Sequence, residues 1–156
     1  MAYETVLITG GAGFVGSTLA IAIRHAHPGT SVIAFDNLHR RGSEMNLPRL
    51  KRAGARFVHG DVRSLADLAG IRPAPDLIVE CSAEPSVLAG YGGSPEYLIQ
   101  TNLTGCFHCL EIARQAKGPS KIKMNNGEPR ISGPCLLQQS DRVVNLTQKQ
   151  MTQAQY

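Results

Sequence analysis

The sequence predicts an α/β fold, a doubly wound parallel sheet with helices on both faces, and three observations lead to it. Four short β-rich apolar runs recur within the first 80 residues: Thr5-Val-Leu-Ile8, Ser31-Val-Ile-Ala-Phe35, Arg56-Phe-Val-His59 and Asp76-Leu-Ile-Val79. Stretches of helical character separate them, and short apolar strands alternating with helices suit a sheet buried on both sides. Between the first run and the first helix stands LITGGAGFVGS (residues 7–17), with four glycines in seven positions.

The elements follow in order. The first strand leads through the glycines into a helix from Phe14 to about Ala26, with Phe14, Leu19, Ala22 and Ile23 as its expected buried face. Pro28-Gly29 stops that helix. The second strand closes on Asp36, and the third ends in Gly60-Asp61. A short helix over 65–70 and a loop from Pro73 to Pro75 lead to the fourth strand. Residues 94–117 read as one long helix, with Ser94 as cap, Pro95 near the start and Gly118-Pro119 as the stop.

Residues 1–117 therefore read as one unit, and 118–156 as a low-order, partly disordered tail. The tail is rich in amides, with scattered Gly and Pro and no sustained period. Lys121-Ile-Lys-Met124 is a weak strand whose alternating lysines suit an edge, and Val143-Val144 is a second weak candidate. The expected sheet is thus incomplete.

Composition narrows the function classes. A length of 156 residues, 42% hydrophobic and 18% charged, fits one globular domain. The net charge of +4 comes with no basic stripe and no interleaved aromatics, so no nucleic-acid partner is expected. No apolar run spans a bilayer, the first residues lack a basic leader, and a reducing, cytoplasmic setting is expected. Cys81, Cys106, Cys109 and Cys135 do not form a disulfide framework. The Cys106-Phe-His-Cys109 spacing lies inside a helix with no second ligand pair, so it reads as packing and no metal site is expected.

The glycines carry the chemistry. Gly11, Gly13 and Gly16 satisfy G-x-G-x-x-G, and Gly10, Gly13 and Gly16 satisfy G-x-x-G-x-x-G. The motif follows a strand, opens a helix and precedes, by about 20 residues, an acid ending the next strand. That is the fingerprint of a Rossmann-like dinucleotide site. Glycines let backbone amides approach a pyrophosphate at a helix start, and Gly16 is expected to let the helix pack on the sheet. Asp36 can accept from both ribose hydroxyls, which favours NAD over NADP. Arg40 and Arg41 supply the charge that a 2′-phosphate would need, so NADP stays open here.

TGGAGFVGS, FDNLHRRGSEMNL and QTNLTG together resemble the extended short-chain dehydrogenases that act on nucleotide sugars, and the second segment is most similar to the CDP-paratose 2-epimerases. The resemblance covers about residues 4–117. It implies that Gly10, Gly13, Phe14 and Val15 line the pyrophosphate, and that Asp36 and Asn37 hold the adenosine ribose with Arg40 at its edge. Asp61 and Val62 would flank the adenine, Cys81, Ser82 and Ala83 the nicotinamide ribose, and Asn102 would stand near the cofactor. Glu84 and Ser86 would face the sugar. The residues themselves leave alternatives: Asp61 can cap a turn, Asn102 can satisfy neighbouring backbone, and loop polarity accounts for Glu84 and Ser86 nearly as well.

The same resemblance implies epimerisation by transient hydride transfer to NAD, with a nucleotide sugar as partner and room for a homo-oligomer in a full-length form. A 4,6-dehydratase, a 4-epimerase and a non-catalytic dinucleotide-binding module are the other readings. It also implies a proton relay of Tyr, Lys and Ser or Thr. No Tyr-x-x-x-Lys occurs in this sequence, and the strand with its Ser/Thr-rich turn is missing. The expectation is a cofactor-binding N-terminal part, truncated or frame-shifted, with no catalytic residue of its own and no turnover alone.

Overall fold

The computed structural model describes residues 3–84, 86, 88, 90–116 and the backbone of 121–124. Five strands form one sheet in the order β3-β2-β1-β4-β5: β1 (Thr5–Thr9), β2 (Ser31–Asp36), β3 (Arg56–His59), β4 (Leu77–Glu80) and β5 (Lys121–Met124). Every neighbouring pair runs parallel, with Leu7 opposite Ile33 and Ile78, and Ile8 opposite Ala34 and Val79. The weak strand expected at 121–124 is present beside β4. The rest of the expected tail, with Cys135 and Val143-Val144, lies outside the described residues.

Alternate residues of these strands reach opposite faces, and both faces are covered. On one, Leu7, Ile33, Phe35 and Ile78 pack with Leu68 of α3 (Leu65–Ala69) and with Cys109 and Ala113 of α5 (Gly105–Gln115). On the other, Val6, Ile8, Val32 and Ala34 meet Ala20 of α1 (Phe14–Ala26) and Leu50 of α2 (Leu47–Arg52). Burying each large side chain contributes about 1.5–3 kcal/mol, which makes the two apolar layers the main source of stability. Cys109 sits in this core, as the packing reading of Cys106-x-x-Cys109 expects, and Cys106 is half-buried.

Several details differ from the expectations. The buried face of α1 consists of Gly16, Ser17 and Ala20, with Leu19 and Ile23 packed beside them, whereas Phe14 is 77% exposed. Phe14 is the first residue of the helix and lines a cleft instead of packing in the core. Strand β4 begins one residue later than expected, at Leu77, and the Asp76 carboxylate before it accepts from the N–H groups of Glu4 and Thr5. The long helix over 94–117 is observed as α4 (Glu96–Ile99), a π-helical turn (Gln100–Thr104) and α5 in one run. At its start the Ser94 hydroxyl accepts from Glu96 N–H at 3.2 Å. Helix α2 and the 3-10 turn before it (Ser43–Asn46) have no counterpart in the sequence reading. Among the described residues no helix is long and apolar enough to cross a membrane.

Candidate functional site

The strand order reverses at β1, with β2 on one side and β4 on the other, and this is where α/β sheets open a crevice beyond the strands' carboxyl ends. A cleft of about 420 Å³ lies there. Its floor is the glycine turn and the start of α1: Gly10, Gly13, Phe14 and Val15. One flank follows β2 and β3 and carries Asp36, Asn37, Arg40 and Val62. The other follows β4 and carries Cys81, Ser82 and Ala83.

The turn needs its glycines for two geometric reasons. Gly10 has φ +60°, and a β-carbon there would lie 2.5 Å from the Cys81 carbonyl oxygen. A β-carbon on Gly16 would collide with the Gly10 carbonyl, so Gly16 lets α1 close on the turn itself and not on the sheet. Asp36 clamps the turn from outside: its carboxylate accepts from Ala12 N–H at 3.0 Å and from Leu38 N–H at 2.8 Å. Asn46, in the 3-10 turn, donates to the Ala12 carbonyl at 2.8 Å, so the same residue is held through both its N–H and its carbonyl.

Helix α1 starts from Gly13 with no side-chain cap and no acid in its first turn. Its first N–H groups have no partner within the helix, and the aligned peptide dipoles make this end positive. The result is an anion-receptive floor with no protein carboxylate on its own helix to neutralise it.

The β4 flank is held differently. Glu80 is 6% exposed, and its Oε1 accepts from Ser82 N–H at 2.7 Å and from the Thr9 hydroxyl at 3.3 Å. Burial pushes the Glu80 carboxyl up, against the pull of the Ser82 N–H. Burial, with the charge of Glu80 adding to it, pushes the Cys81 thiol up to about 12. Cys81 is therefore a protonated lining group and no nucleophile at neutral pH. The Ser82 and Thr101 hydroxyls are buried in this region without a hydrogen-bond partner, Ser82 standing near Glu80 without the geometry of a bond.

Two residues singled out in the sequence stand behind the cleft wall. Asp61 receives Arg63 in a fork, Nε to Oδ1 at 3.0 Å and Nη2 to Oδ2 at 2.6 Å, and also the Asn37 amide at 2.9 Å. The Arg63 guanidinium, with Asn37 assisting, holds its carboxyl well below the usual carboxylate range. Its backbone-directed bond to Arg63 N–H is the turn-capping alternative. Asn102 accepts from Glu84 N–H at 2.8 Å and donates to the Glu84 carbonyl at 3.4 Å, which is the backbone-satisfying alternative.

The cleft also has lining residues that sequence reasoning misses, among them His39, Ser43, Tyr97 and Thr101. Thr101 belongs to the π-helical turn, a local widening that no residue pattern announces. A polar residue directly before Asn102 is the one available signal. Among the described residues no three His, Cys, Asp or Glu side chains are grouped to hold a metal.

Comparison with known proteins follows the same span. A family model described as "NAD dependent epimerase/dehydratase family" matches residues 6–124. The chain is 35% identical over 114 residues to a CDP-paratose 2-epimerase of Salmonella typhi, covering 70% of this chain and 32% of that protein. It is 33% identical over 115 residues to a dTDP-glucose 4,6-dehydratase of Salmonella typhimurium, covering 70% and 31%. The crystal structure of a double mutant of DesIV, a dTDP-glucose 4,6-dehydratase from Streptomyces venezuelae with NAD and DAU bound, superimposes with a TM-score of 0.64. That match has 33% identity and covers 75% of this chain and 37% of the other. The chain spans about a third of the length of the curated relatives it matches.

Proposed function

The chain belongs to the NAD dependent epimerase/dehydratase family, and on that premise we propose that it binds NAD in the cleft and forms the cofactor-binding part of a nucleotide-sugar epimerase of the CDP-sugar 2-epimerase kind. The observation that carries the NAD reading is the shared cleft, where the uncapped start of α1, the Gly10 turn and Asp36 all face one space, and the similarity to a CDP-paratose 2-epimerase supports the epimerase kind.

The residues present suit a dinucleotide. Phosphates would rest on the first N–H groups of α1, where the helix dipole favours negative charge. Asp36 uses two acceptor positions on Ala12 and Leu38, and a carboxylate offers about four, so acceptor capacity remains for ribose hydroxyls. The unpartnered hydroxyls of Ser82 and Thr101 would gain partners from polar groups of a ligand on the β4 flank. Asp36 disfavours a 2′-phosphate by charge. Arg40 lines the cleft and opposes that preference, while Arg41 is absent from the lining.

In such enzymes bound NAD supplies reversible oxidation of a sugar carbon. This chain's share is to bind and orient the dinucleotide, and the 156 residues hold no Tyr-x-x-x-Lys to move the proton. The similarity to a dTDP-glucose 4,6-dehydratase supports a second reading, that the same part serves a dehydratase.

Calorimetric titration with NAD and NADP tests the proposal. We expect NAD to bind at least about tenfold more tightly than NADP, a difference of about 1.4 kcal/mol, and Asp36→Ala to erase the difference. No binding of either dinucleotide would overturn the reading of the cleft, and tighter NADP would overturn the reading of Asp36. Incubated with NAD and CDP-paratose, the chain alone should yield no epimer; an epimer would show that the relay argument is wrong.

A further inference from the structure

The two flanks of the cleft touch through a pair of rings. His39 follows β2 and Tyr97 stands in α4, beyond β4, and both line the cleft. Their centroids are 4.7 Å apart with the planes tilted by 32°. The Arg63 guanidinium carbon lies 4.9 Å from the centroid of the Tyr97 ring, a cation on an aromatic face. Arg63 is forked onto Asp61, Asp61 receives the Asn37 amide, and Asn37 Oδ1 accepts from His39 N–H at 2.9 Å. The contacts form a closed circuit of Asn37, Asp61, Arg63, Tyr97 and His39.

Within this circuit the contacts of Tyr97 with His39 and Arg63 join elements from opposite sides of the reversal point at β1. Asn37, which shares the circuit, stands directly after Asp36 at the adenosine end of the proposed site. Leu38 between Asn37 and His39 has φ +54°, a conformation costly for a residue with a β-carbon, held here by the Asp36 and Asn37 side chains. The chain leading into His39 is thus constrained where that residue meets Tyr97.

We propose that the His39–Tyr97 pair is a clasp at the adenosine end of the cleft, braced by Arg63 and Asp61, which governs how long the adenosine half of a dinucleotide stays bound. The proposal rests on the reading of the cleft as an NAD site. It gives Asp61 a role other than the adenine contact expected from the sequence: its carboxylate is committed to Arg63, which fixes Tyr97. Aromatic rings suit a purine base, and His39 follows directly on the Asp36–Asn37 segment at the adenosine end, which places the pair by the adenosine half and away from Cys81, Ser82 and Ala83.

The test compares the 156-residue chain with Tyr97→Ala, Tyr97→Phe, Arg63→Met and His39→Ala/Tyr97→Ala. Release rates are measured for NAD and ADP-ribose, and affinity for nicotinamide mononucleotide. Tyr97→Ala should speed release of NAD and of ADP-ribose about tenfold and leave the mononucleotide unchanged. Tyr97→Phe keeps the ring and should restore slow release, while the double variant should be no faster than Tyr97→Ala. Arg63→Met leaves Tyr97 in place and should speed release about threefold, so the clasp stays testable even if an alanine variant misfolds. Release of ADP-ribose at the original rate from Tyr97→Ala or Arg63→Met, or an equal effect on the mononucleotide, would overturn the clasp alone. Failure of the unsubstituted chain to bind NAD or ADP-ribose would overturn the reading of the cleft, and the clasp with it.

Discussion

Compared with the turn that precedes α1, the β4 side of the cleft leaves two of its buried polar groups uncommitted. Ala12 is held through its N–H by Asp36 and through its carbonyl by Asn46, and the Gly16 approach locks the helix start against Gly10. Across the cleft the backbone of Cys81 and Ser82 is anchored to Thr9 and Glu80, yet the hydroxyls of Ser82 and Thr101 are buried without partners. The difference teaches a division of labour. The glycine turn holds its shape without a ligand, through the Asp36 and Asn46 side chains and the close Gly16 approach. The open N–H groups at the start of α1 are thereby preorganised for an anion. The β4 side carries a desolvation cost that a polar ligand would relieve.

The largest effect should come from breaking the glycine turn. Gly16→Ala drives a β-carbon into the Gly10 carbonyl, which belongs to backbone and cannot step aside. We expect a loss of about 3 kcal/mol, the upper end of overpacking costs, and a fall in Tm of about 10 °C. Dinucleotide binding should disappear with it. Thermal melts and a titration check both, and a stable Gly16→Ala chain would show that the turn yields more easily than its contacts imply.

The opposite flank should respond with opposite signs. Thr101→Val replaces an unpartnered buried hydroxyl by a methyl group of the same shape. Stability of the ligand-free chain should rise by about 1 kcal/mol, because no hydrogen bond is lost and a desolvated polar group is removed. NAD affinity should fall severalfold at the same time. A destabilised Thr101→Val chain would erase the contrast between the flanks, since the hydroxyl would then have a partner in solution.

How far these flanks are legible in the sequence depends on whether local or tertiary forces decide each residue. β1, β2 and β3 are readable because they are apolar runs bounded by Gly, Pro or Asp, and the glycine turn because its spacing is local. Phe14 misleads because an aromatic residue at the head of an apolar helix looks like core, while at the first helical position it is exposed and lines the cleft. Helix α2 stays hidden because it buries only Leu50, too little to set a period. Asp61 and Asn102 are polar residues at turns and helices near the cleft, which draws attention to them. Their side chains nonetheless turn away, Asp61 to its near neighbour Arg63 and to Asn37, Asn102 to Glu84, and of these partners only Asn37 and Glu84 depend on folding to come within reach. Tyr97 and His39 lie 58 residues apart in sequence (97 − 39), and only the folded chain brings them together.

The smallest effects concern two carboxyls that respond to pH in opposite senses, one on each flank. Burial raises Glu80 in the folded chain, so its ionised form opposes folding at high pH and that penalty fades as pH falls to its ordinary value of about 4.3. Glu80→Gln keeps an acceptor for Ser82 N–H and the Thr9 hydroxyl without the charge. It should be more stable than the original chain at pH 8, with the difference closing by about pH 4. Asp61 is lowered, chiefly by Arg63, so its contribution is fully present above its ordinary value of about 3.9 and is lost as pH falls further. Asp61→Asn should therefore show a constant deficit above about pH 5 that narrows only in stronger acid. Urea melts of the two variants across pH 3–8 separate these trends. Parallel curves for Glu80→Gln and the original chain would mean that Glu80 meets a compensating charge, and the β4 flank would then be as complete as the other.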